Sequence, residues 1–148
     1  MRLCLAQLNP LIGDLKGNCA KIVNSCQKAS KNNANLVITP ELSLLGYPPR
    51  DLLFNKPLLE SQWIFLDTIV SHINNNASQL AVLVGIAEPI ADLQIPQLFN
   101  SIALVTKKGW EVIGRKQLLP TYDVFDEKRY FRAAKSSGCL ELEIDDKS

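Results

Sequence analysis

The chain has 148 residues, 47% of them hydrophobic and 21% charged, with 16 basic against 15 acidic side chains. That is the composition of one globular domain able to bury about 70% of its unfolded surface. A net charge of +1 without clustered Lys and Arg excludes a nucleic-acid footprint or a membrane-surface patch, and no apolar run approaches the roughly 20 residues that span a bilayer.

Residues 1–10 turn polar too soon for a signal peptide, so a cytoplasmic location is the expectation. The four cysteines fit a reducing compartment. Cys19 and Cys26 would sit about 10 Å apart along a helix, too far to bridge. Cys4 lies in an apolar run and Cys139 opens another. With a single His, no pair has zinc-ligand spacing.

In chain order, residues 2–8 are apolar on both alternating faces (Leu3 and Leu5 against Cys4, Ala6 and Leu8). This predicts a central strand covered on both sides. Asn9-Pro10 ends it, and Gly13-Asp14 supplies a turn and a helix cap. Leu15, Cys19, Ile22, Val23, Cys26 and Ala29 then keep helical spacing, opposite a polar face that includes Lys21 and Lys28. Residues 31–35 loop into Leu36-Val37-Ile38-Thr39, an apolar, β-branched run that reads as a buried strand. Pro40 cannot donate to a sheet ladder and stops it. Strand, helix, strand is a βαβ unit, so the two strands should pair in parallel. Glu41 is left just past the carboxyl end of its strand, where open α/β sheets place ligands. From position alone it serves equally well as a helix cap or a solvated carboxylate.

A Gly/Pro-punctuated loop follows over residues 42–51. The next helix carries Leu59, Trp63, Leu66, Val70 and Ile73 on one face. His72 projects roughly 130° from that stripe, a solvated position and not a catalytic or metal-ligating one. Asn74-Asn75-Asn76 breaks this helix. Residues 80–87 form another buried strand, with Glu88-Pro89 at its end as a second place for a polar site residue. Residues 99–106 and 110–114 flank Lys107-Lys108-Gly109 and read as an antiparallel hairpin that delivers Arg115-Lys116. Residues 139–144 alternate Leu140, Leu142 and Ile144 with acidic residues, a half-exposed strand. The sequence has neither an internal repeat nor a Gly-rich phosphate loop, so nothing supports nucleotide binding.

Two polar segments follow buried strands, one at Glu41 and one at Lys116. The second opens a loop over residues 116–131 that is dense in aromatics and charges, and such loops often carry sites. Spacing alone leaves Lys116 an ordinary surface lysine. Thr39-Pro40-Glu41-Leu42-Ser43-Leu44-Leu45-Gly46-Tyr47-Pro48 and Lys116 through Phe131 resemble the Glu and Lys motifs of carbon–nitrogen hydrolases, the nitrilase superfamily. Pro48-Pro49-Arg50-Asp51-Leu52-Leu53 and Leu119 through Phe131 are similar to the glutaminase domain of bacterial glutamine-dependent NAD synthetases. The similarity is collinear over the whole chain, and covers the first half or slightly more of that domain.

The resemblance implies a Glu-Lys-Cys triad acting on the side-chain amide of glutamine. Glu41 would be the general base and Lys116 the cation that stabilises the tetrahedral oxyanion. Tyr47, Tyr122 and Glu127 match positions that line the site or hold glutamine and the triad. Reference pKa values of about 4.3 for Glu and 8.5 for Cys leave roughly 4 units, or about 6 kcal/mol, of uphill proton transfer. Burial of the carboxylate, or a Lys beside the thiol, must close that gap. A thioester would form, ammonia would leave and water would release glutamate.

The implied fold is α/β, part of an α-β-β-α sandwich. Residues 1–148 would be the N-terminal part of the glutaminase domain, truncated before the strand that ends in the nucleophilic cysteine. Cys139 begins a strand instead of ending one, so the segment alone would be inactive. No cofactor is implied for it; ATP would serve the synthetase part of the parent, which amidates nicotinic acid adenine dinucleotide. Its partners would be glutamine and the remainder of the NAD synthetase chain, in a homo-oligomeric parent. Two alternatives stay open: a non-catalytic nitrilase-like binding module, and another amidase of the superfamily. Half a sandwich would also expose a sheet edge and an apolar face.

Overall fold

Local sequence cues start both helices and stop the second strand of the computed structural model, which describes residues 1–90, 98–136 and 141. Strand β1 (Leu3–Leu5) leads to helix α1 (Leu15–Lys31). Asp14 caps α1 by accepting from the Gly17 N–H at 2.9 Å, and Lys28 and Lys31 occupy its electronegative last turn. Strand β2 (Leu36–Ile38) stops before Pro40. Helix α2 (Lys56–Asn76) starts at Asn55, whose side chain accepts from the Leu58 N–H. Pro57 falls in its first turn, where no N–H is needed. Strands β3 (Ala81–Pro89), β4 (Leu98–Thr106) and β5 (Gly109–Arg115) follow, and short 3₁₀ turns span Arg50–Phe54 and Glu127–Arg129.

The five strands lie in the order β1-β2-β3-β4-β5. The first three pair in parallel, as the βαβ pattern predicts, and β3, β4 and β5 pair antiparallel. Both helices cover one face, where Val37, Val82, Val84 and Ile86 meet Ile22, Leu66, Ile69 and Ile73. On the opposite face Leu36, Ala81 and Leu104 gather Ile38, Leu83 and Ile113 into a smaller cluster. This is one α layer on one β layer, the half-sandwich expected from the motifs.

Two expectations change. β1 is an edge strand, not a central one, and Leu3 and Leu5 are 49% and 72% exposed. Apolar residues on both alternating faces report two apolar surfaces, not a place in the strand order. The second change concerns α2, which runs on through Asn76 and buries Gln62 and Ile69 beside Leu59, Leu66 and Ile73. With this wider contact stripe His72 is half-buried: its Nε2 is enclosed without a partner among the described residues. Residues 91–97 and the strand expected at 139–144, Cys139 included and Glu141 excepted, lie outside the described residues.

Candidate active site

Glu41 is held by what surrounds it in sequence. Leu42, Leu44 and Leu45 are fully buried and sink the turn into the core. Ser43 joins the turn to β3 by accepting from the Gly85 N–H at 3.2 Å, and the Leu44 N–H donates to the Gly85 carbonyl at 3.2 Å. Gly85 is required there, because a Cβ would stand 2.6 Å from the Pro40 carbonyl oxygen and 3.0 Å from the Glu41 carbonyl carbon. The strand end, the leucines and this close approach together fix the direction in which Glu41 leaves the sheet.

Lys116 follows β5 directly, and its N–H donates to the Asn100 carbonyl at 2.8 Å, extending the β4–β5 ladder. Its Nζ lies 2.7 Å from Glu41 Oε1, 3.1 Å from Glu127 Oε1 and 3.0 Å from Glu127 Oε2. Glu127 sits in the last 3₁₀ turn with its side chain only 5% exposed. The Tyr47 hydroxyl donates to Glu127 Oε1 at 2.9 Å, and the Asn100 side-chain amide donates to Glu41 Oε1. Two carboxylates therefore share one ammonium, leaving the cluster with a formal charge of −1.

Burial alone would lower the pKa of the Lys116 ammonium. Hydrogen bonds to Glu41 and Glu127, and their charges, outweigh it and hold Lys116 above its ordinary range. Lys116 is thus a fixed cation, suited to stabilising negative charge and unsuited to being a base. Burial, then the bond to Glu127, raises the Tyr47 phenol and keeps it a donor. A cavity of about 420 Å³ opens beside Glu41 and Lys116, lined in part by Ile38, Leu83 and Ile102 from the face opposite the helices.

Of the residues singled out from sequence, Glu41, Lys116, Glu127 and Tyr47 converge. Tyr122 does not join them: it is 70% exposed, and its ring packs edge-on against Phe125 at 5.6 Å, which in turn lies 6.4 Å from Tyr47. Glu88 is taken up structurally, bound by Arg115 through Nε at 2.6 Å and by Ser101 Oγ at 2.7 Å. Two contributors went unnoticed in the sequence. Asn100 had a signal, a polar residue inside the apolar run 98–105; Gly85 had only its place in a strand, which marks close backbone approach.

Cys19 and Cys26 lie on the buried face of α1, where burial pushes their thiols up to about 11 and about 12. Neither they nor Cys4 line the cavity.

The sequence pattern of carbon–nitrogen hydrolases matches residues 2–143. The chain belongs to the carbon–nitrogen hydrolase family. Within it, the chain is 39% identical over 143 residues to a glutamine-dependent NAD(+) synthetase of Synechocystis sp., covering 91% of this chain and 24% of that protein. A solved glutamine-dependent NAD+ synthetase from Acinetobacter baumannii matches with a TM-score of 0.76 and 32% identity, over 95% of this chain and 25% of that one. An amidase from Nesterenkonia sp. matches with a TM-score of 0.67 and 25% identity, over 92% and 49%. The chain thus spans about a quarter of the length of the synthetases it matches. The family and fold expected from the Glu and Lys motifs are borne out.

Proposed function

We propose that this chain supplies the carboxylate–ammonium half of a glutaminase site, and that a cysteine thiol which residues 1–148 do not supply completes it. The observation that carries this reading is Lys116 Nζ held between Glu41 and Glu127 at the mouth of an open cavity. The family match supports it, as do relatives named for glutamine-dependent NAD(+) synthesis. A solved Glu-to-Gln mutant of the Nesterenkonia amidase shows Michael addition of acrylamide at its active-site cysteine.

The reaction balances around the cluster. The thiol passes its proton to Glu41, and the total charge stays at −1 because the proton moves within the site. Lys116 favours the thiolate, offsetting part of the uphill transfer set by reference pKa values. The thiolate attacks the amide carbon, the carbonyl electron pair moves to oxygen, and Lys116 stabilises that oxyanion. Collapse breaks the C–N bond, and Glu41 returns the proton to the departing ammonia. A water then gives a proton to Glu41 and attacks the thioester, and the sulfur leaves and regains that proton, releasing glutamate. Glu127, itself held by the Tyr47 hydroxyl, keeps Lys116 in place throughout. The ammonia would feed ATP-dependent amidation of nicotinic acid adenine dinucleotide by the remainder of a cytoplasmic, homo-oligomeric synthetase, with no cofactor assigned to residues 1–148.

The test is glutamate and ammonia production from glutamine by the purified 148-residue chain and by the longer product of its reading frame past Ser148. The longer product should release both in equal amounts, and the 148-residue chain should release neither. Turnover by the 148-residue chain that vanishes in Cys139→Ser would overturn the external thiol. A longer product inert toward glutamine would overturn the glutaminase reading.

A further inference from the structure

A polar side chain buried in an apolar strand needs a partner. Asn100 is 6% exposed on β4, facing the same side of the sheet as Ile102 and Leu104, and asparagine is disfavoured in strands. Among the described residues its side chain makes one hydrogen bond, from Nδ2 to Glu41 Oε1. Its main-chain carbonyl accepts the Lys116 N–H at 2.8 Å. One residue therefore holds both members of the pair, Glu41 through its side chain and Lys116 through its backbone. Lys116 Nζ binds the same Glu41 oxygen at 2.7 Å, so Oε1 carries two donors and Oε2 carries none among the described residues.

We propose that Asn100 is a positioning residue which, by loading Oε1 together with Lys116, leaves Oε2 of Glu41 as the atom that takes the thiol proton. This rests on Glu41 being the proton acceptor of the glutaminase reading. The torsion that places the two oxygens of a glutamate is broad, so a carboxylate gripped by one donor can swing about that contact. Two donors on one oxygen, arriving from β4 and from the end of β5, hold the carboxylate in one orientation. The lone pairs of Oε2 then face the reacting group in one geometry.

Asn100→Asp keeps the volume and the main-chain carbonyl but replaces the donor with an acceptor. In the longer product, Asn100→Asp and Asn100→Ala should each lower kcat by on the order of 10²-fold and leave KM for glutamine within about two-fold. A second measurement needs no turnover. In the ¹⁵N-labelled 148-residue chain, one Asn100 side-chain amide proton should resonate downfield of the other asparagine amides. It should move back in Glu41→Ala and stay in Tyr122→Phe. Full kcat in Asn100→Asp would overturn the proposal. So would an Asn100 resonance of the 148-residue chain that ignores Glu41→Ala while the longer product is active, leaving the glutaminase reading intact. A product that turns over no glutamine overturns the glutaminase reading and the proton assignment together.

Discussion

Glu41 and Lys116 stand 75 residues apart in sequence, yet their side chains meet at 2.7 Å. Each is delivered at the end of a strand, Glu41 after β2 and Lys116 after β5, and β3 and β4 lie between those strands. The turn from Pro40 to Gly46 folds over Gly85 and carries Glu41 across β3 towards Asn100 and Lys116. The site is therefore a product of sheet topology and one close backbone contact.

Removing the cation exposes what it neutralises. Lys116→Met leaves the nearly buried Glu127 with Tyr47 as its remaining side-chain partner among the described residues, and should cost about 1–3 kcal/mol of stability. Adding Glu127→Gln to Lys116→Met should restore part of that loss. Urea unfolding of the two single variants and the double variant measures the coupling; simple additivity would contradict a Lys116–Glu127 interaction.

Stability should fall at both pH extremes, for separate reasons. Tyr47 and Lys116 have folded-state pKa values raised above 10.0 and 10.5, so the folded chain holds these protons more tightly than the unfolded one. Their contribution is complete below about pH 10 and is lost as pH rises through the folded values. Glu88 shifts the opposite way: burial would raise its pKa, but Arg115 and Ser101 outweigh burial and hold it below 4.5. Its contribution is present above 4.5 and lost as pH falls through the folded value. In thermal melts across pH, Tyr47→Phe should flatten the alkaline limb and Glu88→Gln the acid limb. Unchanged limbs would show that these groups are not coupled to folding.

Gly85→Ala places a methyl against the main chain of Pro40, Glu41 and Leu42, atoms that cannot swing aside as a flexible side chain can. About 1–3 kcal/mol of destabilisation is expected. The Asn100 amide resonance should also shift, as Glu41 is pushed from its place. A variant with wild-type melting temperature and an unmoved resonance would show that the turn does not rest on β3.

The core thiols should be inert. With pKa values of about 11 and about 12, Cys19 and Cys26 are almost wholly protonated at pH 8. Peptide mapping after iodoacetamide treatment should find them unmodified in the folded chain and modified in urea. Rapid alkylation of either in the folded state would revise their placement.

How much of this was legible in the sequence varies by residue. Pro40 after a β-branched run located Glu41 at a strand end, and the Lys107-Lys108-Gly109 turn located Lys116 at the end of a hairpin. Asp14 marked the start of the first helix. What periodicity could not supply was pairing at a distance. Tyr47 and Glu127 share a hydrogen bond across 80 residues, and nothing local to either announces it. The motif resemblance named both, and only the fold shows that Glu127 lies against Lys116. Asn100 was not legible because a polar residue in an apolar strand, like Ser101 beside it, gives no clue to what faces it. The strand order misled at β1 for a related reason, since an apolar face says that a surface is greasy and not what lies next to it.

The most direct test of the account is ammonia release from glutamine by the longer product, comparing wild type with Glu41→Gln. The substitution keeps the shape of the side chain and removes its capacity to accept the thiol proton. The account predicts a loss in kcat of at least about 10²-fold. Wild-type turnover by Glu41→Gln would contradict it.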